Sequence, residues 1–375
     1  MTLIIREVKT PGDFRDFIFL PAKIHKHHNE WIPPVWMDEK AFFDPLRNKS
    51  FTHCDTLMLI ALRNGQVVGR IMGIIHHTYN QIRNIQDGRF GFLECYNDAE
   101  AAHILLKTIE EWALSKGMKR LVGPYGFSDK DPQGFLVEGF GHRAMIASNC
   151  NFPYMIDLVT DAGYSKEIDC IAFKLPISTE IPELHRQIYE RAARNTKTRV
   201  VGFSSRKEIK KWIRPVLELM NECYTELYGF VPLNDAEMTE FAERYLPILD
   251  PRFLKIVLNS NEQLLSFVVA LPNFSKGLQR SKGFLFPFGF FCILWEMKRT
   301  RQLDLMLGGV KPAHQGTGLE VLMGLHLVEE ARKVGLTEME VHLILETNHK
   351  MLGEMHKLNA TPHKRFRVFC KPLQP

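Results

Sequence analysis

The spacing of apolar and polar residues divides the chain into two stretches with the same order of elements. In the first, residues 3–8 read as a strand. A hairpin follows, with apolar runs at 56–62 and 67–75 and a turn at 63–66. Its Asn64-Gly65 pair tolerates the positive φ that tight hairpin turns demand. Residues 89–95 read as the next strand. Asn97 or Asp98 caps a helix in which Ala101, Ile104, Leu105, Thr108, Ile109 and Trp112 recur on one face, and Gly117 ends it. A strand at 119–122, a short helix at 154–161 and a strand at 169–175 complete this half.

Pro176, Pro182 and the polar residues between them read as a junction, which places one domain at 1–175 and a second at 176–375. The order then recurs: a helix at 209–228, hairpin strands at 253–258 and 264–271, a strand at 303–310, and a helix at 318–334 broken by Gly335. A strand at 338–345 follows, with Met339, Val341, Leu343 and Leu345 on one face. A short helix at 348–358 and a strand at 365–370 close the chain. The repeat is one of architecture, not of sequence. Phe284, Phe286, Phe288 and Phe290 alternate at strand spacing and read as one buried face of a strand. The competing reading, with Phe291 and Trp295 added, is an apolar wall for an acyl chain or a hydrophobic acceptor.

Composition adds constraints. With 45% hydrophobic and 24% charged residues, the chain is globular. A net charge of +5 is dispersed along it, which suits anionic small molecules or a weakly acidic partner and does not point to nucleic acid, so charged tRNA as a donor is the weaker option. Seven scattered cysteines without a CxxC fit reduced thiols. The start lacks the pattern of a signal peptide, and the most apolar tract, 283–295, is too short to span a bilayer. The expectation is a cytoplasmic protein with no membrane partner. The histidines at 25, 27 and 28, and the pair 76–77, lack ligand companions in sequence and read as solvated, so no metal is expected.

The chemistry concentrates at 308–320. An apolar strand runs into Gly308-Gly309, then Val310-Lys311-Pro312-Ala313-His314-Gln315-Gly316-Thr317-Gly318, then an amphipathic helix. Backbone N–H groups of a glycine-containing turn, together with the free N–H groups at a helix start, form a natural anion site. This stretch resembles the signature V-x-P-x-x-[QR]-G-x-G-[ILV]-[GA] of the GCN5-related N-acetyltransferase (GNAT) superfamily. The resemblance covers roughly the C-terminal half.

The resemblance implies a mixed α/β (α+β) fold of two GNAT-like domains, each a mostly antiparallel mixed sheet flanked by helices. It implies that Gly309, Val310, Gln315, Gly316, Thr317, Gly318, Leu319 and Asn348 bind acetyl-CoA or another acyl-CoA. The implied reaction is transfer of the acyl group, expected to be acetyl, to a small-molecule or peptide amine by direct attack in a ternary complex. A backbone N–H near Gly309-Val310 would stabilise the oxyanion. Two positions depart from the pattern: Glu320 replaces a small residue, and Met355 stands where the superfamily often has a tyrosine. His356 and Glu346 are the candidate acid and base. In the first half the matching stretch, 93–100, has no glycine and carries acidic residues, so its cofactor site is expected to be lost. The alternative is a non-catalytic acyl-CoA sensor or interaction module.

Overall fold

The computed structural model describes residues 2–146, 148–177, 182–194 and 197–374. The first half runs β1 (Leu3–Glu7), α1 (Pro11–Ile24), α2 (Trp36–Phe42), β2 (Cys54–Arg63), β3 (Gln66–His76), α3 (His77–Arg83) and β4 (Asp87–Cys95). It continues through α4 (Ala99–Ser115), β5 (Arg120–Gly123), β6 (Phe135–Glu138), α5 (Tyr154–Asp161) and β7 (Ser165–Pro176). The second half runs α6 (Glu183–Ala193), β8 (Thr198–Val201), α7 (Arg206–Tyr224), α8 (Asp235–Tyr245), β9 (Leu254–Asn259) and β10 (Leu264–Pro272). Then come α9 (Ser275–Ser281), α10 (Gly289–Arg299), β11 (Gln302–Val310), α11 (Leu319–Lys333), β12 (Glu338–Leu345), α12 (His349–Lys357) and β13 (Thr361–Pro372). The junction residues 178–181 lie outside the described part.

The strands form one continuous sheet in the order β1-β2-β3-β4-β5-β13-β7-β12-β11-β10-β9-β8, with β6 paired to β13. The mixed α/β class is as expected. The pairing is antiparallel except between β4 and β5 and between β11 and β12. The centre of the sheet is an exchange. β13, the last strand of the second half, lies beside β5 of the first. In turn β7, the last strand of the first half, lies beside β12 of the second. The two exchanged strands pair with each other from Thr361–Lys174 to Cys370–Ser165.

Each half buries both faces of its sheet. In the first, Leu105 and Ile109 of α4 pack with Leu59 and Ile71 on one face. Phe17 and Ile18 of α1 pack with Ile60 and Met72 on the other. In the second, Leu322 and Leu327 of α11 pack with Val257 and Val268, while Val216 and Met220 of α7 cover Ile256 and Phe267. The strands alternate because successive side chains point to opposite faces.

Four expectations need correction. The Phe-rich stretch is not a strand with a buried face: it forms the turn and first helical turn of an α9–α10 hairpin, and Phe284, Phe286, Phe288, Phe290 and Phe291 are exposed. Strand spacing failed there because the aromatics at 284, 286, 288 and 290 alternate while the backbone turns through Pro287 and begins α10 at Gly289. His25 and His76 are buried, not solvated. His25 bonds His28 (2.9 Å) and Glu94 (3.1 Å), and His76 accepts the Tyr79 N–H as cap of α3. The four-residue face of β12 is broken. Its register with β7 slips between Val341 and Ile344, Leu343 takes a φ of 33°, and Ile344 is buried instead. Finally, the helix expected at 209–228 ends at Tyr224, and residues 225–231 leave it as a loop.

Candidate functional site

β11 and β12 run parallel only over Gln302–Leu305 and Glu338–Val341, and then part. On its other edge β11 stays paired with β10, but Met306 is an extra residue there: Val269 faces Leu307 and Ala270 faces Leu305. Such a bulge bends the strand and frees backbone groups from the ladder. The result is an opening between the second halves of β11 and β12. Gly309 and Val310 lie along it and remain paired to Phe267 and Ser266.

The glycine loop sits at the end of this opening. After the turn at Pro312–His314, Gly316 and Gly318 adopt φ of 73° and 89°, a region that favours glycine. The two glycines serve different ends. A β-carbon on Gly316 would meet nothing within 4 Å, so the loop is open to an incoming group there. A β-carbon on Gly318 would fall 2.7 Å from Ile188 of α6, so this glycine lets α6 pack on the loop. Thr317 Oγ1 turns inward to donate to the His314 carbonyl (2.6 Å).

The helix start is available. Gly318 caps α11 with its backbone alone, and among the described residues no side chain caps its first N–H groups. Lys350 donates to Gln315 Oε1 (3.0 Å), which brings the start of α12 and a cation to the loop. Asn348 caps α12 by accepting from the Met351 N–H (3.2 Å). Glu320 Oε2 is buried without a hydrogen-bond partner. An exposed glycine turn, an uncapped helix start and Lys350 together fit a diphosphate.

The catalytic candidates are not brought together. Glu346 follows β12 with both oxygens engaged: Lys166 donates at 2.7 Å and the Asp169 N–H at 3.0 Å. His356 faces outward on α12, while its neighbour Met355 is buried in the core against α11. Sequence reading missed Tyr224. Its hydroxyl donates to the Gly308 carbonyl (2.9 Å) and accepts the Gly308 N–H (3.2 Å) on the opened strand. Burial raises its pKa, so the phenol keeps its proton. No motif marks a tyrosine at a helix end, and only the fold carries it to β11.

The equivalent place in the first half is closed twice. Asp98 caps α4 through the Ala101 N–H (3.1 Å) and holds Arg63 with two bonds of 2.7 Å, while Arg63 also bonds Glu100 (2.9 Å). The acidic helix start read from the sequence is thus neutralised internally. β4 and β5 also part after Arg89 and Val122, but the loop 225–231 of the second half fills the space. Arg83 donates to the carbonyls of Thr225 and Leu227, Tyr79 accepts the Gly229 N–H, and Lys130 donates to the Val231 carbonyl.

A second concavity, of about 570 Å³, lies at the other end of β11, beside Gln302, Glu340 and His363. Val310 lies eight steps along the strand from Gln302, roughly 26 Å. Glu340 is part of the concavity's lining and, like Asp304 beside it on β11, is buried. The Gln302 amide donates to both, at 2.7 and 3.0 Å, and Asn273 donates to Asp304 (2.7 Å). Burial, then the charge of Glu340, pushes Asp304 up to about 7. Burial would also raise Glu340, but His363 and Lys364 hold it at about 2. Among the described residues, His53, Cys54 and His76 bring possible metal-ligand atoms within 4.8 Å of one another. Burial pushes the Cys54 thiol up to about 12, and burial with the nearby Arg89 charge pushes His76 down to about 3.

No protein-family model matches the chain. It is 27% identical over 381 residues to the bacterial ceramide synthase of Caulobacter vibrioides, covering 99% of this chain and 98% of that one. It is 25% identical to the protein YghO of Escherichia coli, covering 99% and 95%. Among solved structures, a tandem GNAT protein from the clavulanic acid biosynthesis pathway superposes with a TM-score of 0.57 at 14% identity, over 100% of this chain and 99% of that one. The exchanged thirteen-strand sheet, the parting parallel pair in each half and this superposition agree: the chain has the fold of a tandem GCN5-related N-acetyltransferase.

Proposed function

We propose that the protein is an acyl-CoA-dependent N-acyltransferase whose single donor site lies in the second half. The observation that carries this is the loop Gln315–Gly318, an open glycine turn over an uncapped helix start. Gln315, Gly316, Thr317, Gly318, Leu319 and Lys350 would hold the donor's diphosphate, with Asn348 fixing the helix that presents Lys350. Gly309 and Val310 line the way to the reacting end. The donor supplies an activated thioester. An amine nitrogen forms the new amide bond, the carbon–sulfur bond breaks, and the thiol leaves with a proton. The protein's share is to position the two substrates and to keep water from the opening. We assign Tyr224 as the proton donor to the departing sulfur, since it holds a protonated hydroxyl on the opened strand, and the proton released by the amine nitrogen restores the phenol. The division into domains at 1–175 and 176–375 belongs to this reading, with the first half serving as scaffold.

The relative named bacterial ceramide synthase supports a reading of the acceptor. A ceramide is an amide of a long-chain amine, so we propose an amine carried on a lipid and a donor longer than acetyl. The test is calorimetry with coenzyme A, then thiol release from long-chain acyl-CoA in the presence of a long-chain amino alcohol. Coenzyme A binding without thiol release across amines and chain lengths would leave the sensor reading, which the buried Met355 favours. Absence of binding at millimolar coenzyme A overturns both.

A further inference from the structure

The α9–α10 hairpin presents aromatic surface that the rest of the fold does not cover. Phe286, Phe288 and Phe291 are 78%, 72% and 65% exposed, and Phe284, Phe290 and Trp295 lie beside them, about half exposed. Scattered apolar residues are ordinary on a protein surface, but six aromatics on one short hairpin are not. The base of the hairpin is fixed. Trp36 donates its indole N–H to the Lys282 carbonyl (2.7 Å), and its backbone N–H to the Gly283 carbonyl (3.1 Å). Gly277 lets the two helices touch, since a β-carbon there would fall 2.8 Å from Ile293 Cα. The aromatics therefore project from a rigid support.

The charge pattern says what covers them. No aspartate or glutamate occurs between Glu262 and Glu296. Lys276, Arg280, Lys282, Lys298 and Arg299 are exposed around the aromatics, while the hairpin's single carboxylate, Glu296, is buried and paired with Arg280 at 3.0 Å. The hairpin thus exposes five cations, of which Arg280 is already paired, and no anion of its own. Arg280 and Arg299 both lie over the Trp295 ring, at 4.6 and 4.5 Å. An indole flanked by guanidinium groups at the rim of an aromatic face suits the boundary between acyl chains and phosphates. Lys276 and Arg299 also line the 570 Å³ cleft, whose lining is of mixed charge: Arg143, Lys174 and Arg301 stand there with Glu30, Glu338 and Glu340.

We propose that this hairpin seats the protein on the surface of an anionic phospholipid bilayer, with Phe286, Phe288 and Phe291 in the acyl region and the five cations at phosphate level. No described helix is long and apolar enough to cross a membrane, so the contact is interfacial. The sequence alone leads to an expectation of no membrane partner; the proposed contact is with the bilayer surface only. It stands apart from the acyl-transfer reading, because no residue of the glycine loop takes part.

The test is co-sedimentation of the full chain with phosphatidylglycerol-containing vesicles and with pure phosphatidylcholine vesicles. Binding to the anionic vesicles is expected, with much weaker binding to the neutral ones. Phe286→Ser/Phe288→Ser/Phe291→Ser should lower the partition at least ~10-fold, and Lys298→Glu/Arg299→Glu by more than ~10-fold at low salt, at about fivefold per lost cation. Both variants should keep the wild-type Tm and coenzyme A affinity. If folded wild type ignores anionic vesicles, or if the triple variant binds them equally, the proposal is overturned. It is also overturned if light scattering shows a dimer that the triple variant splits and that does not bind vesicles, for then the face joins two copies. Unchanged coenzyme A binding in either case leaves the acyl-transfer reading standing.

Discussion

Gly229 packs flush against the phenol of Tyr125, with no room for a β-carbon between the glycine and the hydroxyl oxygen. The contact joins a loop of the second half to the opening between β4 and β5 of the first. It turns a would-be cofactor slot into an internal interface. Gly229 also has a φ of 74°. Gly229→Ala should therefore destabilise by about 2–4 kcal/mol, combining overpacking with backbone strain. Tyr125→Phe in that background should recover part of the loss by relieving the oxygen contact. Chemical denaturation of the four members of the cycle checks this, and additive single effects would rule out the contact.

The two glycines of the loop should separate in the same kind of experiment. Gly316→Ala meets open space and carries only the strain of positive φ, about 1 kcal/mol. Gly318→Ala adds the collision with Ile188 and should cost at least about 1 kcal/mol more. For ligand binding the emphasis reverses. Gly316→Asp places a carboxylate in the open turn and should weaken coenzyme A at least ~10-fold while moving Tm little.

Asp304 makes stability depend on pH. Its folded pKa of about 7 lies above its ordinary value of 3.8, so the folded state holds a proton that the unfolded state releases. That contribution is full below pH 4 and is lost as pH rises to 7. Glu340 acts oppositely: held at about 2, it contributes above pH 4.5 and loses its share as pH falls towards 2. Asp304→Asn should flatten the fall in stability between pH 4 and 7, a difference on the order of a few kcal/mol. Denaturant midpoints of both proteins across that range measure it, and parallel curves would refute it.

Tyr224 and Glu346 should differ in turnover. Tyr224→Phe is expected to lower kcat by ~10²-fold with coenzyme A affinity kept, because only the proton donor is lost. Glu346→Gln is expected to lose less than ~5-fold, because its carboxylate already serves Lys166 and the Asp169 N–H. A large loss in Glu346→Gln with a changed pH–rate profile would instead make Glu346 the base.

Local signals read correctly where the chain settles its own conformation. Asn64 and Gly65 take φ of 52° and 80° at the expected hairpin turn. α5 spans the residues expected of it, and Asp98 caps α4. The glycine loop was legible for the same reason: its conformational needs are written in Gly316 and Gly318. What escaped depends on distant partners. Nothing near Tyr224 announces Gly308, and nothing near Phe286 says whether another element will cover it. His25 looked solvated because Glu94, Trp31 and Phe152, which enclose it, are contributed by other parts of the chain.

The exchanged strands set an order of events. β5 lacks its neighbour until β13 exists, and β13 spans Thr361–Pro372. On the ribosome, the first half therefore keeps an open sheet edge while nearly two hundred further residues are made. Pairings of such long sequence separation are slow to form and leave strand edges exposed to other chains. A cut at the junction would yield two pieces, each missing the strand that the other holds. Mixed together, they should reassemble as a complex rather than fold as two independent units.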